Sequence, residues 1–324
     1  MVEVEQKDTI HRIENLFNFL WAFLLWLFLG TGMLADSSTP ASVFYRTGSL
    51  DEKTMTIQKR DDQGRDTMDA SQPRNVPNIE VMLIPINCHR VALPGIYLFS
   101  FYTTLVQPFS RGRIKLASRD PHAHPKVHAP LFTDERDRVT MRTATRFSMH
   151  MAEKFTDHYD HPAPLVFYPG MDLDYLDSVH NGTWKKPTVA ASAVAARGPV
   201  PGGKVSTDKA STFSGGVSAD DTEEQKRRAT TKTWRSVTDE EIDEYVKRVV
   251  QSTLHYTSTC RMSLHAKDGV VDQRLRVHGM ENLRIADASV FPYIPAAHTM
   301  APTIMVAERC ADFLREEWEE RKGK

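Results

Sequence analysis

His255-Tyr-Thr-Ser-Thr-Cys-Arg-Met262 is followed by Gly269-Val-Val-Asp-Gln-Arg-Leu-Arg-Val-His-Gly279, then by Asn282-Leu-Arg-Ile-Ala-Asp-Ala-Ser-Val-Phe-Pro292, then by Ala297-His-Thr-Met-Ala-Pro302. Within these blocks, Leu283-Arg-Ile-Ala286 reads as a short buried strand. Pro302 is placed to begin a last helix with Ile304, Ala307, Ala311, Leu314 and Trp318 on one face. Just upstream, Thr238-Asp-Glu-Glu241 is a capping box, in which the threonine hydroxyl and the glutamate carboxylate each satisfy a backbone donor at a helix start. Ile242, Tyr245, Val246, Val249 and Val250 continue it as an apolar stripe. That helix is expected to end near Thr253 and to present His255 just beyond its end.

Further out, the chain is read as five regions: an apolar helix and lid-like segment at 1–34, a polar loop region at 35–78, a first part of a domain at 79–183, an insert at 184–236, and the tail at 237–324. In the third region, Ile79 to Ile86 and Ile96 to Val106 are rich in aromatic and branched residues, and Arg113-Ile-Lys-Leu116 alternates charged and apolar. These predict neighbouring antiparallel strands. Asp134 opens a helix whose apolar positions Ala144, Phe147, Met151 and Phe155 recur at intervals of three and four. The insert, with its Ala, Pro, Gly, Ser and Thr, has too little apolar surface to offset its ordering entropy and is expected to be disordered.

Leu16 to Leu29 is apolar at every position except Asn18. Fourteen residues are few for a bilayer, which needs roughly 17 to 25, although continuing to Leu34 reaches a marginal length. A buried or groove-lining helix is favoured over a membrane span, and membrane association through 16–34 stays open. Glu3, Glu5 and Asp8 stand where a secretory signal carries positive charge, so a cytoplasmic or membrane-associated chain is favoured over a secreted one. Gly30-Thr-Gly-Met-Leu-Ala35 matches the G-x-G-x-x-A dinucleotide fingerprint in letters, but Asp36-Ser-Ser-Thr-Pro40 would stop the helix that must follow it. A structural Gly-Thr-Gly is the better reading.

The 41 Lys plus Arg nearly balance 42 Asp plus Glu, which gives no field to attract nucleic acid. Three well-separated cysteines, Cys88, Cys260 and Cys310, make neither a disulfide framework nor a zinc site. No metal site is expected.

The four ordered tail blocks closely resemble the signature of the glucose-methanol-choline (GMC) oxidoreductases. Gln107 to Pro121 resembles a strand region of that family's substrate domain, and Leu29 to Leu34 resembles the segment where its members carry Gly-Thr-Gly. The resemblance implies an α/β (α+β) fold: an antiparallel-sheet substrate domain with flanking helices, plus the C-terminal strand and helix of an FAD-binding domain. It implies FAD as cofactor and a small-molecule alcohol as substrate, oxidised by hydride transfer to flavin N5. By block position His255 matches the family's base, a role suited to a group that titrates near neutrality, and His298 matches the second position, which orients the alkoxide. Asp287, Ala288, His298 and Thr299 match positions near the cofactor.

Two departures stand out. The family's His-Pro-x-Gly-Thr becomes His255-Tyr-Thr-Ser-Thr259, and its Gly after Met becomes Ser263, which adds a side chain and is expected to alter the loop at His255. The first 100 residues hold no βαβ unit with a glycine turn for the ADP half of FAD. The chain therefore reads as a fragment lacking the ADP-binding part. The alternative is a catalytically inactive remnant serving as a binding or membrane-associated module.

Overall fold

The structure, a computed structural model, describes residues 1–35, 39, 41–69, 71–88, 93, 96–158, 165–181 and 232–323. In chain order the strands among them are β1 (Val2–Glu3), β2 (Ala41–Tyr45), β3 (Leu50–Asp51), β4 (Thr56–Ile57), β5 (Ile79–Ile84), β6 (Leu98–Leu105), β7 (Arg113–Lys115) and β8 (Lys126–His128). The helices are α1 (Leu16–Leu29), α2 (Glu135–His158), α3 (Leu173–His180), α4 (Asp239–Val249) and α5 (Met300–Lys322). Antiparallel sheet and helix are thus mixed, as expected. The chain divides into two compact units, one of residues 1–38, 85–100 and 152–245, the other of 39–84, 101–151 and 246–324.

In the first unit β1 pairs antiparallel with the start of β6, Val2 opposite Phe99 and Glu3 opposite Leu98. Val2, Leu98, Phe167, Leu176 and Ile242 are fully buried there. The capping box forms as expected: the Thr238 N–H donates to Glu241 Oε2 at 2.9 Å, and the Glu241 N–H donates to Thr238 Oγ1 at 3.2 Å. The Thr238 N–H, helped by the Lys232 ammonium, stabilises the charged carboxylate, so the Glu241 pKa is lowered. Its helix ends at Val249, a turn short of the expected Thr253. Most of the insert, residues 184–231, lies outside the described residues. Its described end begins at Lys232, and there Trp234 is buried with its backbone N–H donating to Glu153 Oε1 at 3.1 Å.

Helix α1 forms where the apolar run predicts it. The Asn15 side chain accepts from the N–H groups of Phe17 and Asn18 at its start, and Gly30 closes it in the left-handed conformation at φ 62°. Of the buried or groove-lining helix expected, burial is not found: Leu16, Phe17 and Phe28 are more than 70% exposed, and only Ala22 of the helix is buried. The short turn at Ile10–Glu14 packs against it and leaves most of this helix, apolar on every side, exposed among the described residues. No helix among the described residues is long and apolar enough to cross a membrane. Gly30 ends a helix instead of joining a strand to one, so Gly30-Thr-Gly lacks the geometry of a nucleotide-binding turn.

In the second unit β5 lies beside β2 and the end of β6. The β2–β5 pair is antiparallel and runs from Ala41 opposite Leu83 to Tyr45 opposite Ile79. Part of the expected polar loop at 35–78 is therefore strand, because Val43, Phe44 and Tyr45 gain a partner edge that sequence alone does not reveal. Contrary to expectation, strand β7 does not neighbour β5 and β6; it pairs with β8 in an exposed hairpin. Asp134 caps α2 by accepting from the Arg136 N–H at 3.0 Å, and Ala144 and Phe147 face inward. One turn in, the buried Asp137 carboxylate accepts from the N–H groups of Phe109 and Ser110 at 2.8 and 2.7 Å.

The tail builds its own core from Val271, Leu275, Val290, Phe291, Cys310 and Phe313, with Val306 and Ile285 against it. Leu283–Ala286 is no strand; it makes an isolated bridge, Arg276 opposite Arg284, and contributes Ile285 and Ala286 to this core. The buried face of α5 is Val306, Cys310 and Phe313, whereas Ile304, Leu314 and Trp318 of the expected face are more than 50% exposed. The helix carries two apolar stripes, and periodicity alone does not choose between them.

Candidate active site

The second unit brings His255 and His298 together. His255 lies in the loop after α4, and His298 two residues before α5. Their rings meet edge to face with centroids 5.1 Å apart and planes at 85°. His298 Nε2 is 3.1 Å from Glu80 Oε1 on β5. The carboxylate is almost wholly buried, at 3% exposure, while the His298 ring is 53% exposed. Burial lowers the pKa of His255 below the ordinary 6.5; the charge of His298 adds to this and that of Glu80 opposes it.

The backbone around His255 is unusual. Leu254 and Ser258 both take positive φ, 63° and 68°. Ser258 stands where the resembled motif has glycine, so the side chain there sits on backbone that glycine adopts without cost. Ser263, the other departure, is not among the positive-φ residues; its hydroxyl donates to His265 O at 2.6 Å. The close approach falls instead on Gly269, where a Cβ would come 2.7 Å from Ser263 Oγ. The N–H groups of Ser258, Cys260 and Met262 donate to the carbonyls of Ala288, Ser289 and Val290 at 3.2, 2.9 and 2.8 Å, tying the His255 loop to the tail core.

Asp287 caps the short turn Ala288–Val290, its Oδ1 accepting from the Ser289 N–H at 2.7 Å. Its side chain is thus engaged locally. Thr299 precedes α5 without a side-chain cap, and its carbonyl accepts from Thr303. The first N–H groups of α5 are therefore not taken by the Thr299 side chain, and the end of this long helix carries roughly half a positive charge, a setting that favours an anion. That terminus and the histidine pair suit the ring end of a flavin, which is anionic near N1 and O2 when reduced. Among the described residues nothing has the strand, glycine turn and helix that would hold its ADP end. Glu80 is the member of this cluster that sequence reading missed: a single glutamate within a branched strand carries no motif, and only the sheet brings it beneath His298. The described residues contain no group of three His, Cys, Asp or Glu able to hold a metal ion.

The tail, closed on its own core, thus presents a pair of histidines beside a helix N-terminus. The profile of the GMC oxidoreductases matches residues 108–307, and the chain belongs to that family. It is 26% identical over 293 residues to the oxygen-dependent choline dehydrogenase of Chromohalobacter salexigens and 26% over 294 residues to that of Paraburkholderia xenovorans, in each case 90% of this chain and 36% of the relative. The chain thus spans little more than a third of the length of these relatives. Among solved structures, a variant of formate oxidase from Aspergillus oryzae superposes with a TM-score of 0.61 at 22% identity, covering 98% of this chain and 45% of that one. An FAD-dependent oxidoreductase from Chaetomium thermophilum superposes with a TM-score of 0.55 at 15% identity, over 94% of this chain and 44% of the other.

Proposed function

We propose that this chain supplies the proton-handling half of an FAD-dependent alcohol oxidation, with His255 as base and His298 as the group that orients the substrate oxygen. The observation that carries the reading is the edge-to-face histidine pair, assembled from two separate tail segments in front of α5. Bound FAD supplies the hydride acceptor, flavin N5. His255 takes the hydroxyl proton as the carbinol hydride leaves, and its lowered pKa keeps it neutral and able to do so below the ordinary histidine range. His298 and Thr299, with the start of α5, would hold the flavin ring, and the backbone of Asp287 and Ala288 would hold its chain. Lacking an ADP cradle among its described residues, the chain binds FAD weakly unless that part is supplied.

The substrate class is a primary or secondary alcohol, and choline, the substrate of the matching relatives, is the first to try. The test adds FAD in excess to the purified chain, and separately restores a nucleotide-binding half upstream. Under anaerobic conditions flavin absorbance should bleach on adding alcohol, fastest in the restored protein. No bleaching with any of a panel of alcohols in a restored protein that holds stoichiometric FAD would remove the reading.

A second reading rests on α1, whose aromatic side chains are exposed. An inactive chain lying on a membrane surface through residues 16–34 would use them, with Trp21 and Trp26 at the interface. Co-sedimentation with phosphatidylcholine vesicles, lost when the chain starts at Ala35, distinguishes it. Retention of the same binding in the shortened chain would discard it.

A further inference from the structure

We infer that Glu80 is the positioning residue of His298, keeping a hydrogen on Nε2 and leaving Nδ1 as the one ring nitrogen available to a substrate. The inference deepens the proposed function and rests on it for the word substrate, but the geometry stands apart from it. Glu80 lies on β5 with a neighbouring strand on either side and pairs with Phe44 across the β2 ladder, so its backbone position is set by the sheet. Its carboxylate is buried and has an imidazole nitrogen 3.1 Å away. A carboxylate only accepts hydrogen bonds, and a buried one left without a donor is costly, so the facing nitrogen is the one that bears hydrogen.

A neutral imidazole has one N–H. With that hydrogen held on Nε2, Nδ1 carries the lone pair. His298 then meets the substrate oxygen through Nδ1, as a donor once the ring is protonated, while the single hydroxyl hydrogen is left to His255. The ring also keeps its orientation although half of it is open to solvent. The other titratable group beside it is His255, its ring centroid 5.1 Å away with the planes at 85°.

Histidine-labelled ¹⁵N NMR of the full chain tests this without flavin or turnover. The His298 signals, assigned by their loss in His298→Asn, should report the Nε2–H form, with a low-field ring N–H proton that survives exchange. In Glu80→Gln, a neutral oxygen replaces the carboxylate, and that proton should move upfield and exchange about tenfold faster, the difference between a charge-assisted and a neutral hydrogen bond. Glu80→Asp, which keeps the charge, should retain more of the protection than Glu80→Gln. A His298 ring in the Nδ1–H form in the unaltered chain, or a ring proton unchanged in Glu80→Gln, would overturn the inference. The first of these outcomes needs no variant to fold. Failure of alcohol oxidation would leave these spectra as they are, so the two readings fail separately.

Discussion

The loop that carries His255 passes through two left-handed residues, Leu254 and Ser258, and is stitched by three backbone hydrogen bonds to the turn at Ala288–Val290. The segment that carries His298 has no such backbone; its histidine is held through its side chain, by a buried glutamate on a strand distant in sequence. One histidine is placed by main-chain geometry and the other by a charge. They should therefore respond differently to substitution: the first through loop conformation and loss of a base, the second through loss of orientation.

The largest contrast is chemical. In a protein with its flavin-binding half restored, His255→Ala should slow flavin reduction by about 10² to 10⁴, the range for a general base, with a smaller effect on alcohol affinity. His298→Asn should cost less, because an amide still hydrogen-bonds the oxygen although it cannot take up a proton. Anaerobic stopped-flow measurement of both variants decides the order. Rapid reduction by the His255 variant with none by the His298 variant would reverse the two roles, and near-normal rates in both would take the pair out of the chemistry.

The next effect is on pH. Burial first, and then the neighbouring His298, lower the His255 pKa from 6.5. A base works in its neutral form, so lowering its pKa moves the acid limb of the rate profile to lower pH. Flavin reduction should therefore fall on the acid side with a midpoint below 6.5. In His298→Asn one lowering influence is gone while burial remains, so the limb should move back part of the way toward 6.5. An acid limb above 6.5 in the unaltered protein would mean that the group titrating is not His255 in this environment.

What the sequence revealed of these two segments follows the same division. His255, His298, the capping box of α4 and the start of α2 were legible because each depends on residues close in the chain: a cap three residues from its partner, a motif block, an apolar repeat. Glu80 and β2 were not, since both acquire meaning only from strand pairing, in which Phe44 and Glu80 meet across a long sequence separation. Which face of α5 is buried was not legible, because Ile304, Leu314 and Trp318 form as good a stripe as Val306, Cys310 and Phe313, and the second packs with Phe291 and Leu275. The α1 run showed where a helix forms but not that its side chains stay exposed, for hydrophobicity predicts a need for cover and not its presence.

The smallest effect bears on the backbone that holds His255, and two serines at former glycine positions of the resembled motif allow it to be read by sign. Ser258 has φ 68°, where a side chain costs roughly 1 to 2 kcal/mol, while glycine would add back about 0.5 to 1 kcal/mol of chain entropy lost on folding. Ser258→Gly also gives up the contact of its hydroxyl with Thr257 Oγ1 at 3.1 Å, a bond between two small side chains that solvent can replace in part. The balance is a stabilisation of about 0.5 kcal/mol, seen as a rise of a degree or two, roughly, in Tm. Ser263 is different: its φ is not positive, and its hydroxyl is bonded to His265 O at 2.6 Å, so Ser263→Gly loses a hydrogen bond and gains only disorder in the unfolded chain. It should lower Tm by more than Ser258→Gly raises it. Thermal unfolding followed by circular dichroism checks the pair, and a Ser258→Gly variant that unfolds earlier than the unaltered chain, with Ser263→Gly unaffected, would show that main-chain strain is not what fixes the His255 loop.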